Sequence, residues 1–318
     1  MGPVGRSPRT GDSIRLVHAG VTDVGRVRQT NQDHFGSVTG LHVLADGMGG
    51  HRGGEVASAE AVAAALEGFE VHSRQGLAAA VLAANRAVLV RASGDPYLSG
   101  MGTTICALAH VVGDSGDDAL AVANVGDSRV YRFSGGRLEQ VSDDHSLVAD
   151  LMRAGELSPD EAARHPKRNI LTRALGIEAD LVVDTWELVP VSGDRYLLCS
   201  DGLVNELDDS RIARILQDKA EPEAAAVEMV RSAVDAGGHD NVTVVVVDVV
   251  AAPSTPGGAG YRRARARPER ASTLGIQDGA GAVSVLAWRV GGAALALALI
   301  LGSIVGLIGV YARSGWFV

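Results

Sequence analysis

The 318 residues carry 29 Lys and Arg against 38 Asp and Glu, with 46% hydrophobic and 4% aromatic side chains. That is enough apolar material for one large domain or two modest ones, and too much for a chain disordered throughout. Residues 251–318 hold seven Arg, no Lys and two acids, while residues 1–250 carry a net charge of −14; so acidic a domain repels a polyphosphate backbone, which excludes general nucleic-acid binding and requires any anionic substrate to be captured by local cations.

In chain order, IRLVHAG from Ile14 and LHVLA from Leu41 read as strands, followed by helix candidates Glu55–Glu70 and Gly76–Ala92. TTICALAHV from Thr103, ALAVANV from Ala119 and RVYRF from Arg129 are the next strands, before helices Ser146–Ala154 and Ser158–Arg164. LVVDTWEL from Leu181 and RYLLC from Arg195 precede helices Ser210–Lys219 and Pro222–Ala236, and VTVVVVDV from Val242 closes the series. The apolar runs have strand length and end at Gly or Asp. Strands in neighbouring groups with helices between them favour an α+β architecture of antiparallel sheets covered by helices over an alternating doubly wound sheet. Cys106 and Cys199 sit in apolar stretches, which predicts two small buried hydrophobes and neither a disulfide nor a nucleophile.

Residues 251–288, rich in Gly, Pro, Ser and Arg, read as a flexible linker next to a membrane, and 289–312 as a transmembrane helix. Val290–Ala312 contains no charge; at about 1.5 Å per residue it reaches across a hydrocarbon core of about 30 Å. Trp288 and Tyr311 fall at its edges, and Arg262, Arg263, Arg265, Arg267, Arg270 and Arg289 precede it against Arg313 beyond. This bias places residues 13–250 in the cytoplasm, as does the lack of an apolar leader at the N-terminus, and the arginines suit anionic lipid headgroups. Gly302 and Gly306 form a G-x-x-x-G pair that could bring two spans together as a homodimer.

The chemistry lies in a recurring pattern, an apolar strand running into an Asp beside Gly or Asn. HVLADGMGG ends at Asp46, ANVGDSR at Asp127 and YLLCSDG at Asp201; GGHDN presents Asp240 just before a strand, and Asp33 lies in RQTNQDHF. Any one of these would pass for a turn. Five together suggest carboxylates gathered at strand ends, a cluster that needs cations to neutralise it. Carboxylates without a Cys/His set select hard divalent ions, Mg²⁺, Mn²⁺ or Ca²⁺. A bridged pair of such ions holds a hydroxide for in-line attack on phosphorus. Neither a G-x-S-x-G elbow, a P-loop nor a Cys-based phosphate loop is present, so phosphoester hydrolysis by metal-activated water is the route left.

RVRQTNQDHFG, VLADGMGGHRGGEVAS, GTTICALAHV, ANVGDSRVYRF, SDDHSLV, LTRALG, LLCSDGLVNEL and GGHDNVTVVVVDV resemble, in order, the signature segments of the bacterial protein phosphatase 2C family, the metal-dependent serine/threonine phosphatases. The resemblance covers residues 13–250. It implies a four-layer α/β/β/α sandwich with metals at one edge, Mn²⁺ or Mg²⁺ as two catalytic ions with a third weaker ion, and phosphoserine or phosphothreonine proteins as substrates, with serine/threonine kinases as the opposing partners. It makes Asp46 the bridging carboxylate, with the Gly47 carbonyl on the second ion. Asp201 and Asp240 complete the first ion, Asp33 stands beside the second, and Asp127 holds the third. Arg28 matches the arginine that grips substrate phosphate, a task suited to a guanidinium fork, and Asn241 supports the site by hydrogen bonds.

Two positions depart from many relatives. Gln32 stands where they have Glu, removing an anionic contact near the second ion, and Met48 stands where eukaryotic members have a proposed acid His, leaving the general acid unassigned. His51 and His145 are nearby, and both read as structural before catalytic. Asp143–Gly176 resembles the mobile flap beside the family's active site. A phosphoprotein-binding module without turnover, a dinuclear hydrolase of small phosphoesters and a membrane-tethered adaptor are the competing functions; the presence of all five aspartates and Arg28 disfavours the first.

Overall fold

A computed structural model of the protein describes residues 14–48 and 50–251, with backbone alone at 50–52. The strands are β1 (Arg15–Asp23), β2 (Asp33–Val38), β3 (Leu41–Met48), β4 (Gly102–Thr103), β5 (Ile105–Val112), β6 (Asp118–Val125), β7 (Arg129–Ser134), β8 (Arg137–Gln140), β9 (Asp184–Leu188), β10 (Arg195–Cys199) and β11 (Val242–Ala251). The helices are α1 (Gly50–Gly68), α2 (Arg74–Ser93), α3 (Leu147–Arg153), α4 (Pro159–Ala163), α5 (Asp201–Val204), α6 (Asp209–Asp218) and α7 (Pro222–Ala236). One antiparallel sheet runs β1-β11-β10-β7-β8 and the other β2-β3-β5-β6-β9, with β4 paired to the end of β3.

The sheets pack face to face, and helices cover both outer faces. Successive side chains of a strand point to opposite faces, so a strand buried on both sides reads as an unbroken apolar run. On β11, Val242, Val244 and Val246 pack with α6 and α7, while Val245, Val247 and Val249 join the layer between the sheets. On β3, Val43 and Ala45 meet α1 and α2, and Leu44 joins the inter-sheet layer with Trp186, Tyr196 and Cys106. Trp186 is 1% exposed there; burying a side chain of that kind contributes on the order of 1.5–3 kcal/mol or more. Among the described residues α2 alone is long and apolar enough to cross a membrane, and its Leu77, Ala80, Val81, Ala84 and Val88 are buried in the core.

The α/β/β/α sandwich agrees with the sequence, and several boundaries are corrected. β2 (DHFGSV) and β8 (RLEQ) were not expected: the first is broken by Gly36, and the second is an exposed hairpin arm behind Gly135 and Gly136, both at positive φ. The N-terminal strand pairs with β11 and not with its neighbour in sequence. α1 begins at Gly50, five residues earlier than its apolar pattern, and only Asp184–Leu188 of LVVDTWEL is strand. Cys106 and Cys199 are free and buried as expected, and burial pushes the Cys199 thiol up to about 12. The linker from 252 to 288 and the transmembrane helix 289–312, with Gly302 and Gly306, lie outside the described residues.

Candidate metal centre

The β2–β3 register sets Asp33 opposite Asp46. Like charges directly opposite in a sheet repel, so this pair has to be held from outside the ladder. The Asp46 backbone is pinned on both sides: its N–H donates to Thr104 Oγ1 at 2.9 Å, and its carbonyl accepts from Thr103 Oγ1 at 2.9 Å and Thr104 N at 2.8 Å. Gly47 N donates to the Gln32 carbonyl at 3.1 Å, and a Cβ on Gly47 would stand 2.0 Å from the Gly54 carbonyl oxygen. The glycine after Asp46 therefore serves close approach of α1 to the strand.

Asp201 and Asp240 arrive from the other sheet. Asp201 opens α5 directly after β10, where a Cβ on Gly202 would lie 2.0 Å from the Asn241 carbonyl oxygen. Asn241, 5% exposed, accepts from Gln32 N at 2.8 Å through Oδ1 and donates to the carbonyls of Val24 and Thr30, each at 3.0 Å, through Nδ2. It thereby ties down the loop that carries Arg28. Arg28 donates from Nη2 to Asp240 Oδ2 at 2.7 Å, with its side chain 51% exposed. Its guanidinium is raised above its ordinary value by that hydrogen bond, with Asp46 and Asp201 adding to it.

The carboxylates crowd one another. Asp46 lies within electrostatic reach of Asp33, Asp201, Asp127 and Asp240. Burial, then the neighbouring aspartates, holds Asp46 well above the carboxylate range and raises Asp201. Burial also lifts Asp33 to about 6 against the hydrogen bonds it accepts from Thr243 and Ser200, with Asp201 and Asp240 adding to the rise. Asp127, between β6 and β7, is pushed to about 7 by burial and by Asp201 and Asp144. Asp33 is 4% exposed; its Oδ2 accepts from Ser200 Oγ and Thr243 Oγ1, both at 2.7 Å, and its Oδ1 has no hydrogen-bond partner. Asp201 Oδ2 accepts from Asn205 Nδ2 at 3.0 Å, and its Oδ1 is likewise buried and unpartnered.

Orphaned carboxylate oxygens in a cluster that resists ionisation fit divalent cations, and an all-oxygen donor set fits Mg²⁺ or Mn²⁺. All six predicted acid and arginine positions converge here. The sequence did not show the hydroxyls that serve them, Thr103, Thr104, Ser200 and Thr243; only Ser200, adjacent to Asp201, carried a positional hint. His145, 1% exposed, is enclosed in hydrogen bonds, and the His51 side chain lies outside the described residues. Met48 leans on Gly102, where a Cβ would lie 2.8 Å from Met48 Cε. A groove of about 490 Å³ between α6 and α7, lined by Arg211, Arg214 and Arg231 among others, contains none of the five clustered aspartates.

Residues 25–234 match the family model for protein phosphatase 2C. The chain is 38% identical over 242 residues to the serine/threonine phosphatase stp of Listeria monocytogenes, covering 71% of this chain and 93% of that protein. The crystal structure of the catalytic domain of the serine threonine protein phosphatase PstP in complex with two manganese ions superposes with a TM-score of 0.66 at 38% identity, over 75% of this chain and all of that one. The Ser-Thr phosphatase MsPP from Mycobacterium smegmatis, in complex with cacodylate, gives 0.67 at 39% identity, over 73% of this chain and 98% of that one.

Two facing antiparallel sheets with carboxylates gathered at one edge define a metal-dependent phosphohydrolase. The chain belongs to the protein phosphatase 2C family and is a metal-dependent serine/threonine protein phosphatase using a two-ion Mn²⁺ or Mg²⁺ centre.

Proposed function

We propose that this chain dephosphorylates phosphoserine and phosphothreonine proteins at the aspartate cluster, opposing serine/threonine kinases in signalling from the cytoplasmic face of a membrane. The observation that carries the reading is the pair of orphaned oxygens, Asp33 Oδ1 and Asp201 Oδ1, amid carboxylates that raise one another's pKa. Asp46 would bridge two ions, Asp201 and Asp240 would complete the first, and the Gly47 carbonyl with Asp33 would serve the second, with Asp127 at a third. When bound, these ions supply a water acidic enough to be hydroxide at neutral pH and offset charge developing on the phosphoryl oxygens. Arg28 binds the substrate phosphate through its fork, and Asp240 holds that fork in place while Asn241 fixes the loop beneath it. Ser200 and Thr243 keep Asp33 oriented and leave its second oxygen open.

The uncharged run Val290–Ala312 and the arginines before it support a single-pass anchor with the phosphatase domain in the cytoplasm, and Gly302 with Gly306 supports pairing of two spans. The test is phosphate release from a phosphothreonine peptide by the purified full chain, with Mn²⁺, with chelator, and with Asp46→Ala or Asp201→Ala. Release that requires the metal and vanishes in both variants is expected. Release insensitive to chelator, or surviving both substitutions, would refute the dinuclear mechanism.

A further inference from the structure

The flap of residues 143–176 is joined to the metal centre at both ends. At its far end Leu175 exchanges backbone hydrogen bonds with Thr103, at 2.8 and 3.1 Å, and Thr103 Oγ1 donates to the Asp46 carbonyl. At its near end the joint is His145. Its backbone N–H donates to the Gly126 carbonyl at 2.9 Å, and its Nδ1 accepts from Gly126 N at 3.1 Å. With Nδ1 an acceptor, the ring proton lies on Nε2, which donates to Asp184 Oδ2 at 3.1 Å; Arg173 Nη1, 3.2 Å from that nitrogen, then directs its own proton to Asp184 and not to the ring. Arg173, on the returning arm of the flap, donates to Asp184 Oδ1 at 2.9 Å, and Thr172 N donates to the His145 carbonyl at 2.9 Å.

Gly126 is a constrained place to grip. It has φ +105, and a Cβ there would stand 2.6 Å from Thr104 Cβ. Thr104 Oγ1 in turn accepts from Asp46 N and is 2.7 Å from Ser128 Oγ. The Val125–Gly126 peptide is thus held by the His145 ring, and the Gly126–Asp127 peptide that follows by the His145 backbone N–H, beside the threonine that holds Asp46.

We propose that His145 is a positioning residue: through Nδ1 it fixes the Val125–Gly126 peptide, immediately before the one that presents Asp127 to the metal centre, and through Nε2 and the Asp184–Arg173 pair it fastens the flap to the same point. The inference rests on the assignment of Asp127 as a ligand of the weakest ion. The two nitrogens act on different partners, so two conservative replacements separate them. In His145→Asn the amide oxygen takes the place of Nδ1 and keeps the acceptor for Gly126, while the donor to Asp184 is lost. In His145→Gln the amide reaches the Nε2 position and keeps that donor, while the acceptor for Gly126 is lost.

The experiment titrates Mn²⁺ into the full-length protein and its variants, following free Mn²⁺ by electron paramagnetic resonance, with hydrogen exchange across residues 124–128 and 143–176 as a second readout. The Gln variant is expected to weaken the loosest Mn²⁺ site by about tenfold, the scale of supporting-shell losses, with faster exchange at 124–128. The Asn variant is expected to keep wild-type Mn²⁺ affinity and show faster exchange in the flap alone. Equal Mn²⁺ affinities in the two variants, whether both weakened or both unchanged, would overturn the proposal and leave His145 a plain structural residue. Absence of Mn²⁺-dependent phosphate release by the wild-type protein would instead overturn the reading beneath it.

Discussion

Strands β10 and β11 carry charge at both ends and treat it in opposite ways. At one end Arg195 faces Asp248 in register, donates to both of its carboxylate oxygens at 2.8 Å, and places its remaining N–H groups on the carbonyls of Leu216, Lys219 and Ala220. Nearby, Arg132 Nε donates to Asp194 Oδ2 at 2.7 Å. At the other end of the same strands stand Asp201 and Asp240, joined by Asp33 and Asp46, and among the described residues the one arginine bonded to them, Arg28, is half in solvent. One end is neutralised by the chain itself and is closed. The other leaves its charge for cations, so function and folding pull against each other there.

The sharpest way to break this comparison is a change whose sign differs for activity and stability. Asp46→Asn removes a carboxylate that burial and four neighbouring aspartates disfavour, so the metal-free variant should melt higher than wild type, by about 2–4 °C for each kcal/mol of repulsion relieved in a domain of this size. Phosphate release should fall by at least about 10³-fold, since a metal centre contributes several kcal/mol to the transition state. Calorimetry without metal and a phosphopeptide assay with Mn²⁺ measure the two. A lower melting temperature in the metal-free variant would contradict the picture of an uncompensated cluster.

At the closed end the expected effect has the ordinary sign. Asp248→Ala strips a buried guanidinium of its carboxylate, and breaking such a pair from one side costs about 3–5 kcal/mol; the three carbonyls that also accept from Arg195 place the loss toward the lower figure. Urea denaturation should show it, with kcat at saturating Mn²⁺ unchanged. A loss of kcat in the folded variant would mean that the two ends are coupled.

The contrast also explains what could be read in the sequence. Both ends look alike there, an Asp at the edge of an apolar strand. Asp201 and Asp240 were legible as members of a carboxylate cluster because several Asp-Gly and Asp-Asn segments recurred, whereas the pairing of Arg195 with Asp248 spans 53 positions and depends on strand register. The layered fold was legible for a related reason: RYLLC and VTVVVVDV are buried on both faces, and their length and flanking residues mark them as strands. β2 was not, since Gly36 lies under Val62 and Leu66 of α1, a contact with no local signature. The hydroxyls on Asp33 were equally hidden, because Ser200 and Thr243 reach it across 167 and 210 residues.

Next in size is the dependence on pH. In the metal-free protein Asp33 is raised to about 6 and Asp127 to about 7 from an ordinary 3.8. The folded state therefore binds these protons more tightly than the unfolded chain does. Their contribution is fully present below about 3.8 and is lost as pH rises through 6 and then 7. The melting temperature without metal should decline between pH 5 and 8, and saturating Mn²⁺ should abolish the decline by taking the place of the protons. A flat metal-free profile would show that the aspartates ionise without cost.

Arg28 tests the cation that the described residues supply to the open end. Arg28→Lys keeps the charge and loses the fork, and with it the geometry that satisfies Asp240 and a phosphate together. A hydrogen bond to a charged group is worth about 1.5–3 kcal/mol, so kcat/KM for a phosphopeptide should drop about 10- to 100-fold. Metal-free stability should change little, since the ion pair it makes with Asp240 is half in solvent and screened.

The smallest expected effect comes from restoring a charge that this chain lacks. Gln32 packs against Gly54, where a Cβ would lie 2.8 Å from its amide carbon, and its carbonyl accepts from Gly47 N and from Ser58 Oγ. It therefore stands beside the peptide proposed to face the second ion. Gln32→Glu adds a negative charge at almost constant volume. About 1 kcal/mol of added attraction, the Coulomb energy of charges a few ångströms apart in a wet site, corresponds to Mn²⁺ binding about fivefold tighter. The same charge joins a cluster that already resists ionisation, so the metal-free protein should melt lower. Tighter binding bought by weaker folding is what the open end predicts; an unchanged Mn²⁺ midpoint would place the Gln32 side chain outside the field of the second ion.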